Sequence, residues 1–203
     1  MVNAATQKAD ENGPDTAICR GIAHALDRRS IGLVGMMGAG KSSIGRRLSI
    51  RLGIPFVDAD TEIENAAGMT ISEIFAMHGE PYFRAGEARV IARLLDGEAG
   101  VLATGGGAVM DPHTRDLIAE KGISIWLNAD IDVLIKRTKR RSDRPLVDKI
   151  KDLLPQREPL YALADITIHS RDEPHDNIVD DIVAALAKRL GVAVTESAPE
   201  NTP

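Results

Sequence analysis

Residues 35–42 read Gly-Met-Met-Gly-Ala-Gly-Lys-Ser, and this string constrains the fold more than any other part of the chain. It has the spacing G-x-x-x-x-G-K-[ST], in which glycines let successive backbone N–H groups point inward at phosphate oxygens. Such a loop joins a buried strand to a helix whose N-terminus faces the same phosphates. The residues of the loop predicted to bind a nucleotide are Gly38, Ala39, Gly40, Lys41, Ser42 and Ser43.

The flanking sequence has the order that this loop requires. Residues 31–34 form a short apolar run typical of a buried strand. After the loop, Ile44, Leu48 and Leu52 recur every four residues, and Gly53 then ends the predicted helix. Because strand, loop and helix follow one another in this way, a plain glycine turn without a ligand is disfavoured.

The rest of the chain alternates in the same manner. Short apolar runs predict strands near 55–57, 101–104, 123–127 and 166–168, and helical patterns lie between them. Strands that alternate with helices predict right-handed β-α-β units around a parallel sheet. We therefore expect one α/β domain.

Composition excludes several classes of function. The chain has 203 residues and a net charge of −5, which argues against general binding of nucleic acid or of a membrane surface. It contains no apolar run long enough to span a bilayer. Cys19 is the only cysteine, so no internal disulfide can form, which suits the reducing cytoplasm. We expect a cytoplasmic protein, and nothing in the sequence demands more than a monomer.

Two groups of residues follow predicted strands. Asp58 and Asp60 lie two apart in extended chain, so their carboxylates point the same way and could hold Mg²⁺ and orient a hydroxyl group. The alternative is that they cap the next helix, and both roles can coexist. Gly105, Gly106 and Gly107 indicate either close approach by a substrate or a tight turn.

Arginines could bind an acidic substrate. Arg84 and Arg157 each carry a planar fork that can grip a carboxylate at two points, although an arginine in such a place, taken singly, is more often a surface residue. Glu87 lies three residues beyond Arg84 and could hold its guanidinium in place. None of the five histidines has the spacing of metal ligands, and we interpret them as structural or solvated.

A basic run spans residues 136–144. It could be a solvated face or a nucleic-acid patch, but beside a phosphate loop it favours a mobile lid that brings positive charge onto a phosphoryl group. Arg144, which precedes Pro145, is the best candidate for that charge.

Taken as an ordered set, these motifs resemble the shikimate kinase family. The matching pieces are GMMGAGKSSIGRRL at 35–48, FVDADTEIE at 56–64, Phe83-Arg84, GGGAV at 105–109, RPL at 144–146 and REPLY at 157–161. The resemblance implies a nucleoside-monophosphate-kinase-like P-loop kinase with three α/β/α layers. It also implies transfer of the γ-phosphoryl group of ATP to the 3-hydroxyl of shikimate.

The same resemblance implies roles for individual residues. Lys41, Asp60 and Arg144 would be catalytic, and one Mg²⁺ ion would bind Ser42 directly and Asp58 through water. Arg137 would lie near the adenine, with a second adenine contact somewhere in 171–174. The residues implied to hold shikimate are Asp60, Arg84, Gly106, Gly107 and Arg157. The implied domains are a flexible extension over 1–29, the kinase domain over 30–191 with its lid at about 139–148, and a disordered tail over 192–203.

Three alternatives stay open at this point. A gluconate-type sugar-acid kinase would also need a phosphate loop and a carboxylate grip. A nucleotide switch without a small substrate would have no use for Arg84, Arg157 and Asp60 around one pocket. A nucleic-acid-binding protein could use the basic run, but the acidic net charge and the lack of a stacking aromatic there count against it.

Overall fold

A parallel β-sheet forms the centre of the molecule, as the sequence predicts. The computed structural model describes residues 14–138 and 149–192. Its strands are β1 (Ser30–Val34), β2 (Phe56–Asp58), β3 (Val101–Ala103), β4 (Gly122–Asn128) and β5 (Ile166–His169). They pair in the order β2-β3-β1-β4-β5, and every pairing is parallel.

Helices connect the strands. They are α1 (Pro14–Leu26), α2 (Lys41–Leu52), α3 (Ala59–Ala67), α4 (Ile71–Leu95), α5 (Pro112–Lys121), α6 (Ile131–Thr138), α7 (Ile150–Tyr161) and α8 (His175–Leu190). Among the described residues, each of these helices is too short or too polar to span a lipid bilayer.

The topology places helices on both faces of the sheet. The chain passes from β1 through α2 to β2 in one direction along the sheet, and from β3 through α5 to β4 in the other. Both connections are right-handed crossovers. Because they run in opposite directions along the sheet, their helices lie on opposite faces of it. The fold is therefore the three-layer α/β/α arrangement expected from the sequence.

Strand β1 lies in the middle of the sheet, and all five of its residues are buried. Burial on both faces explains why this strand is an unbroken apolar run rather than an alternating one. The connections that leave β1 and β3 run in opposite directions along the sheet. A ligand crevice is expected at such a switch point, beyond the carboxyl ends of the strands. The phosphate loop follows β1, and the three glycines follow β3 one residue later.

Local sequence signals fix the ends of several helices, including the one predicted at Gly53. Gly53 and Gly191 end α2 and α8 in the left-handed conformation, with φ of 67° at both. Thr70 and Glu73 form the capping box of α4, and Asp111 caps α5. Helix α4 contains one interruption, because Gly79 has φ 80° and ψ 174°.

The N-terminal region differs from the flexible extension expected over 1–29. Its described part contains helix α1, in which Cys19, Ile22 and Leu26 are buried in the main core. The helix contacts α8 and α2, so it extends the layer that these two form. Apolar residues spaced three to four apart bury one face of this helix.

Several predictions fall on residues outside the described part of the chain. They are the lid at about 139–148, Arg144, residues 1–13 of the extension, and 193–203 of the tail.

Candidate active site

The loop between β1 and α2 has the backbone shape that its glycines permit. Gly38 and Gly40 adopt φ of 85° and 98°, which residues with a side chain rarely do. A Cβ atom on Gly38 would lie 2.5 Å from Oγ1 of Thr138, because the loop passes close to the end of α6. Helix α2 begins directly afterwards at Lys41, so its positive N-terminus faces the concave side of the loop.

The side chain of Lys41 curls back over this loop. Its Nζ donates hydrogen bonds to the carbonyl oxygens of Gly35, at 2.7 Å, and Met36, at 3.1 Å. The carbonyl of Ala39 accepts a hydrogen bond of 2.8 Å from Oγ of Ser170, which ties the loop to the end of β5. The Ala39 side chain itself is fully buried, so this residue can offer a ligand only its backbone.

Two cavities open at the carboxyl edge of the sheet, with volumes of about 320 Å³ and about 530 Å³. The first, which we call the loop cavity, contains Gly38, Gly40 and Lys41. The second, the arginine cavity, contains Arg84 and Arg157. The residues that line both are Ser42, Ser43, Asp58, Asp60 and Gly106. The two cavities therefore adjoin at these five residues, which we call the shared wall.

The far end of the loop cavity is formed by α6 and by the segment between β5 and α8. Arg137 donates hydrogen bonds to Oγ of Ser170, at 3.0 Å, and to the carbonyl of Arg171, at 2.6 Å. These contacts hold its guanidinium on the cavity wall, where a planar base could stack on it. Glu173 and His175 line the same end.

In the arginine cavity, Arg84 is held by carboxylates of its own helix. Its Nη1 lies 2.6 Å from Oε2 of Glu87, and its Nη2 lies 3.1 Å from Oε1 of Glu80. The guanidinium also lies against Gly107, since a Cβ atom there would come within 2.6 Å of three of its atoms. The absence of a side chain at Gly107 thus leaves room for this arginine.

Arg157 has different surroundings. It is only 6% exposed, yet among the described residues no carboxylate forms an ion pair with it. Its Nη1 donates a hydrogen bond of 3.1 Å to the carbonyl of Gly106, and the Tyr161 hydroxyl donates to the same oxygen. Glu87 interacts electrostatically with Arg157 but forms no salt bridge with it. A buried cation without a salt-bridge partner is costly, so this arrangement favours an anionic ligand in the arginine cavity.

Burial sets the protonation of two groups around these arginines. It raises the pKa of the Tyr161 hydroxyl to about 12, so this group remains a hydrogen-bond donor. Burial also raises the pKa of the Glu87 carboxyl, against the opposing effect of Arg84. Oε1 of Glu87 has no hydrogen-bond partner in the described part of the chain, and it lies with Oδ1 of Asp60 beside Gly105.

The structure shows a capping role for Asp58 and places both aspartates on the cavity wall. Asp58 caps α3, because its Oδ1 accepts a hydrogen bond of 3.1 Å from the backbone N–H of Asp60. Both carboxylates also face the shared wall. Capping therefore does not withdraw them from the site.

The donor set is compatible with Mg²⁺ that accompanies a nucleotide. Ser42 and Asp58 supply hard oxygen atoms on the shared wall. Within residues 14–138 and 149–192, no cluster of three or more His, Cys, Asp or Glu side chains could hold a metal ion. Such a site suits Mg²⁺, which is often held by phosphates, waters and one or two protein oxygens.

The structure brings almost all described candidate residues to one region. Ala39 is the exception, since its side chain points into the core. Sequence reasoning missed Tyr161, whose only signal was its place in the REPLY segment, and Thr104, which directly follows β3. His175 also differs from its interpretation as structural or solvated, because it lines the loop cavity.

Comparisons with known proteins find similar sequences and structures. A family model described as shikimate kinase matches residues 37–187. A shikimate kinase of Rhodopseudomonas palustris is 63% identical over 178 residues, which are 85% of this chain and 88% of the relative. The solved shikimate kinase of Acinetobacter baumannii, in complex with shikimate, is similar with a TM-score of 0.78 and 36% identity, covering 83% of this chain and 98% of that one.

A gluconokinase of Sinorhizobium meliloti is also similar in structure. Its TM-score is 0.54 and its identity 21%, over 81% of this chain and 94% of that one. At this identity the likeness shows the fold alone.

Proposed function

The chain belongs to the shikimate kinase family, and we propose how the residues of its two cavities perform the reaction. The protein is an ATP-dependent kinase that phosphorylates shikimate in aromatic amino acid biosynthesis. The gluconate-type and switch alternatives are not favoured. The finer assignment is that the 3-hydroxyl of shikimate attacks the γ-phosphorus, which gives shikimate 3-phosphate and ADP.

ATP binds in the loop cavity. Its phosphates lie in the concave loop formed by Gly38 to Ser43, where backbone N–H groups and Lys41 supply positive charge. Lys41 would exchange its present carbonyl partners, Gly35 and Met36, for phosphate oxygens. The adenine stacks on Arg137, whose guanidinium is held in place by Ser170 and Arg171.

Shikimate binds in the arginine cavity. Its carboxylate supplies the anion that Arg157 lacks, and Arg84 adds a second fork that Glu80 and Glu87 orient. Gly106 and Gly107 allow the ring to approach the backbone, and Asp60 accepts a hydroxyl hydrogen bond. The shared wall of the two cavities is the observation that supports this proposal, since a hydroxyl bound there from the arginine cavity would lie beside a γ-phosphate in the loop cavity.

Phosphoryl transfer then requires mainly positioning and charge stabilisation. Asp60 orients the 3-hydroxyl and accepts its proton as the oxygen–phosphorus bond forms and the bond to the β-phosphate oxygen breaks. Lys41 stabilises the charge that spreads over the phosphoryl oxygens. Mg²⁺, held by Ser42 and through water by Asp58, would supply further charge neutralisation when bound with ATP.

Three parts of the proposal rest on sequence alone. Arg144 acts on the phosphates from the lid at about 139–148, outside the described residues. The protein works as a monomer, and it works in the cytoplasm without binding nucleic acid or membrane.

The function is tested by following ADP release with ATP, Mg²⁺ and either shikimate or gluconate. Turnover that depends on shikimate, with formation of shikimate 3-phosphate, is expected. ADP release that is indifferent to both acids would contradict the proposal.

Replacing Arg157 by alanine is expected to weaken shikimate binding by about 2–4 kcal/mol, or roughly 30- to 1,000-fold in KM. The physical reason is the loss of the buried cation that pairs with the carboxylate. Arg157→Lys keeps the charge but loses the planar fork, and it should show a smaller rise of roughly tenfold. Initial rates at varied shikimate measure the effect, with Arg93→Ala, in an exposed pair with Glu62, as the control. An unchanged KM for shikimate in Arg157→Ala would remove Arg157 from the carboxylate site.

Replacing Gly107 by alanine tests the orientation of Arg84. The new Cβ atom would lie within 2.6 Å of the guanidinium, which must move away. We expect the KM for shikimate to rise roughly tenfold, because one charged hydrogen-bonding partner is displaced. The KM for ATP should hardly change, because Gly107 does not line the loop cavity. The melting temperature is recorded in parallel, because Arg84 pairs with the buried Glu87.

The matched control for that variant is Gly86→Ala. Gly86 lies on the same helix as Arg84, and a Cβ atom there would meet no atom within 4 Å. Equal shikimate KM values for the two variants would show that Gly107 does not set the position of Arg84.

A further inference from the structure

His175 occupies a place in the loop cavity that the mechanism above does not use. It is the first residue of α8 and is half-buried. Its Nε2 lies 3.7 Å from the position that a Cβ atom on Gly40 would occupy. Gly40 belongs to the phosphate loop, so the imidazole stands close to the backbone that would hold the phosphates of ATP.

The charged groups that act most strongly on His175 are mostly positive. Arg47 of α2, Arg137 of α6 and Asp176 of α8 act on it most strongly. Arg47 also pairs with Asp176, at 3.5 Å, which reduces the opposing effect of that carboxylate. The other charged residues that line the cavity are Lys41, Asp58, Asp60, Lys136, Asp172 and Glu173.

These surroundings disfavour the protonated imidazole in the free protein. Burial, assisted by the positive charges of Arg137 and Arg47, lowers the pKa of His175 below its ordinary value. The N-terminus of α8 acts in the same direction, because it also disfavours positive charge. An anionic ligand placed next to the ring would reverse this balance.

We propose that His175 contacts the phosphate-bearing part of ATP in the loop cavity and takes up a proton when the nucleotide binds. The inference rests on the proposed location of ATP in this cavity. The sequence gives no sign of it, because a histidine after Pro174 reads as an ordinary residue of a helix start.

The sign of the resulting pH dependence follows from linkage. The bound state holds the proton more tightly than the free state, so protons are taken up between the two pKa values. ATP affinity therefore rises as the pH falls through that range. The lower limit of the range is the pKa of His175 in the free enzyme, which lies below the ordinary histidine value of about 6.5. Above both pKa values the imidazole is neutral in each state and contributes little.

The test uses the full chain with and without His175→Gln, a neutral replacement that can still form a hydrogen bond. Binding of Mg²⁺–ATP is measured by calorimetry near pH 6 and near pH 8, in buffers of different ionisation enthalpy, which reports the protons taken up. Wild type should take up more protons than the variant near pH 6. His175→Gln should bind ATP roughly five- to tenfold more weakly there, with a smaller difference near pH 8.

His113→Gln is the matched control. His113 also follows a proline at the start of a helix, but it is exposed and lies on neither cavity. If His175→Gln and wild type have the same ATP affinity or the same proton uptake near pH 6, the inference is overturned. Failure of wild type to bind ATP at all would instead contradict the proposed function, so the two failures are distinct.

Discussion

Replacing Lys41 by methionine is expected to lower kcat by about 10³-fold or more, with little change in the melting temperature. Lys41 is only 8% exposed and lies at the start of α2, with its Nζ over the phosphate loop. Its charge would meet the phosphoryl oxygens as negative charge spreads over them, and methionine retains the apolar stem without that charge. Lys41→Ala should lose transfer to the same extent.

Single-turnover and steady-state rates with ATP and shikimate measure this effect. Lys121→Met is a suitable control, because Lys121 pairs with Asp96 on the surface, away from both cavities. Two carbonyl oxygens lose a donor in Lys41→Met, so thermal unfolding should be recorded in parallel. A kcat that stays within threefold of wild type would rule out the role assigned to Lys41.

Replacing Asp60 by asparagine is expected to lower kcat by about 10²- to 10⁴-fold. The amide can still accept a hydrogen bond from the substrate hydroxyl, but it cannot take up the proton that is released. Asp60 lies on the wall that both cavities share, which is where that proton would leave. Since the amide also hydrogen-bonds, the KM for shikimate should change much less than kcat.

Comparing the change in kcat with the change in the KM for shikimate distinguishes a catalytic role of Asp60 from a binding role. Asp180→Asn serves as the control, because Asp180 pairs with Arg51 on the surface of α8. If Asp60→Asn raised the KM for shikimate and left kcat intact, Asp60 would be a binding residue only. The KM for ATP should remain close to that of wild type in either case.

Much of the fold could be predicted from sequence because its signals are local. The glycines of the phosphate loop, the capping box at Thr70 and the terminal glycines Gly53 and Gly191 each act through neighbouring backbone. The order of the strands in the sheet depends on tertiary packing instead. The packing of α1 against α8 and α2 depends on it too, because the residues that meet there are far apart in the sequence.

The features of the candidate site likewise divide into those with a local sequence signal and those that depend on tertiary contacts. The residue types and spacings around Lys41, Asp60 and the three glycines indicate phosphate and hydroxyl chemistry on their own. Two other features of the site depend on which segments meet in three dimensions. They are the absence of an ion pair to Arg157 among the described residues and the place of His175 on the cavity wall. Sequence distance hides such contacts, as Tyr161 and Gly106 are 55 residues apart.

The most direct test of the account is a crystal structure of the protein with a non-hydrolysable ATP analogue, Mg²⁺ and shikimate. The phosphates should lie in the loop after β1 with Nζ of Lys41 on the γ-phosphate. The shikimate carboxylate should lie between Arg84 and Arg157, with the 3-hydroxyl at Asp60 and in line with the γ-phosphorus. Shikimate bound with its carboxylate away from both arginines, or with its 3-hydroxyl beyond reach of Asp60, would contradict the account.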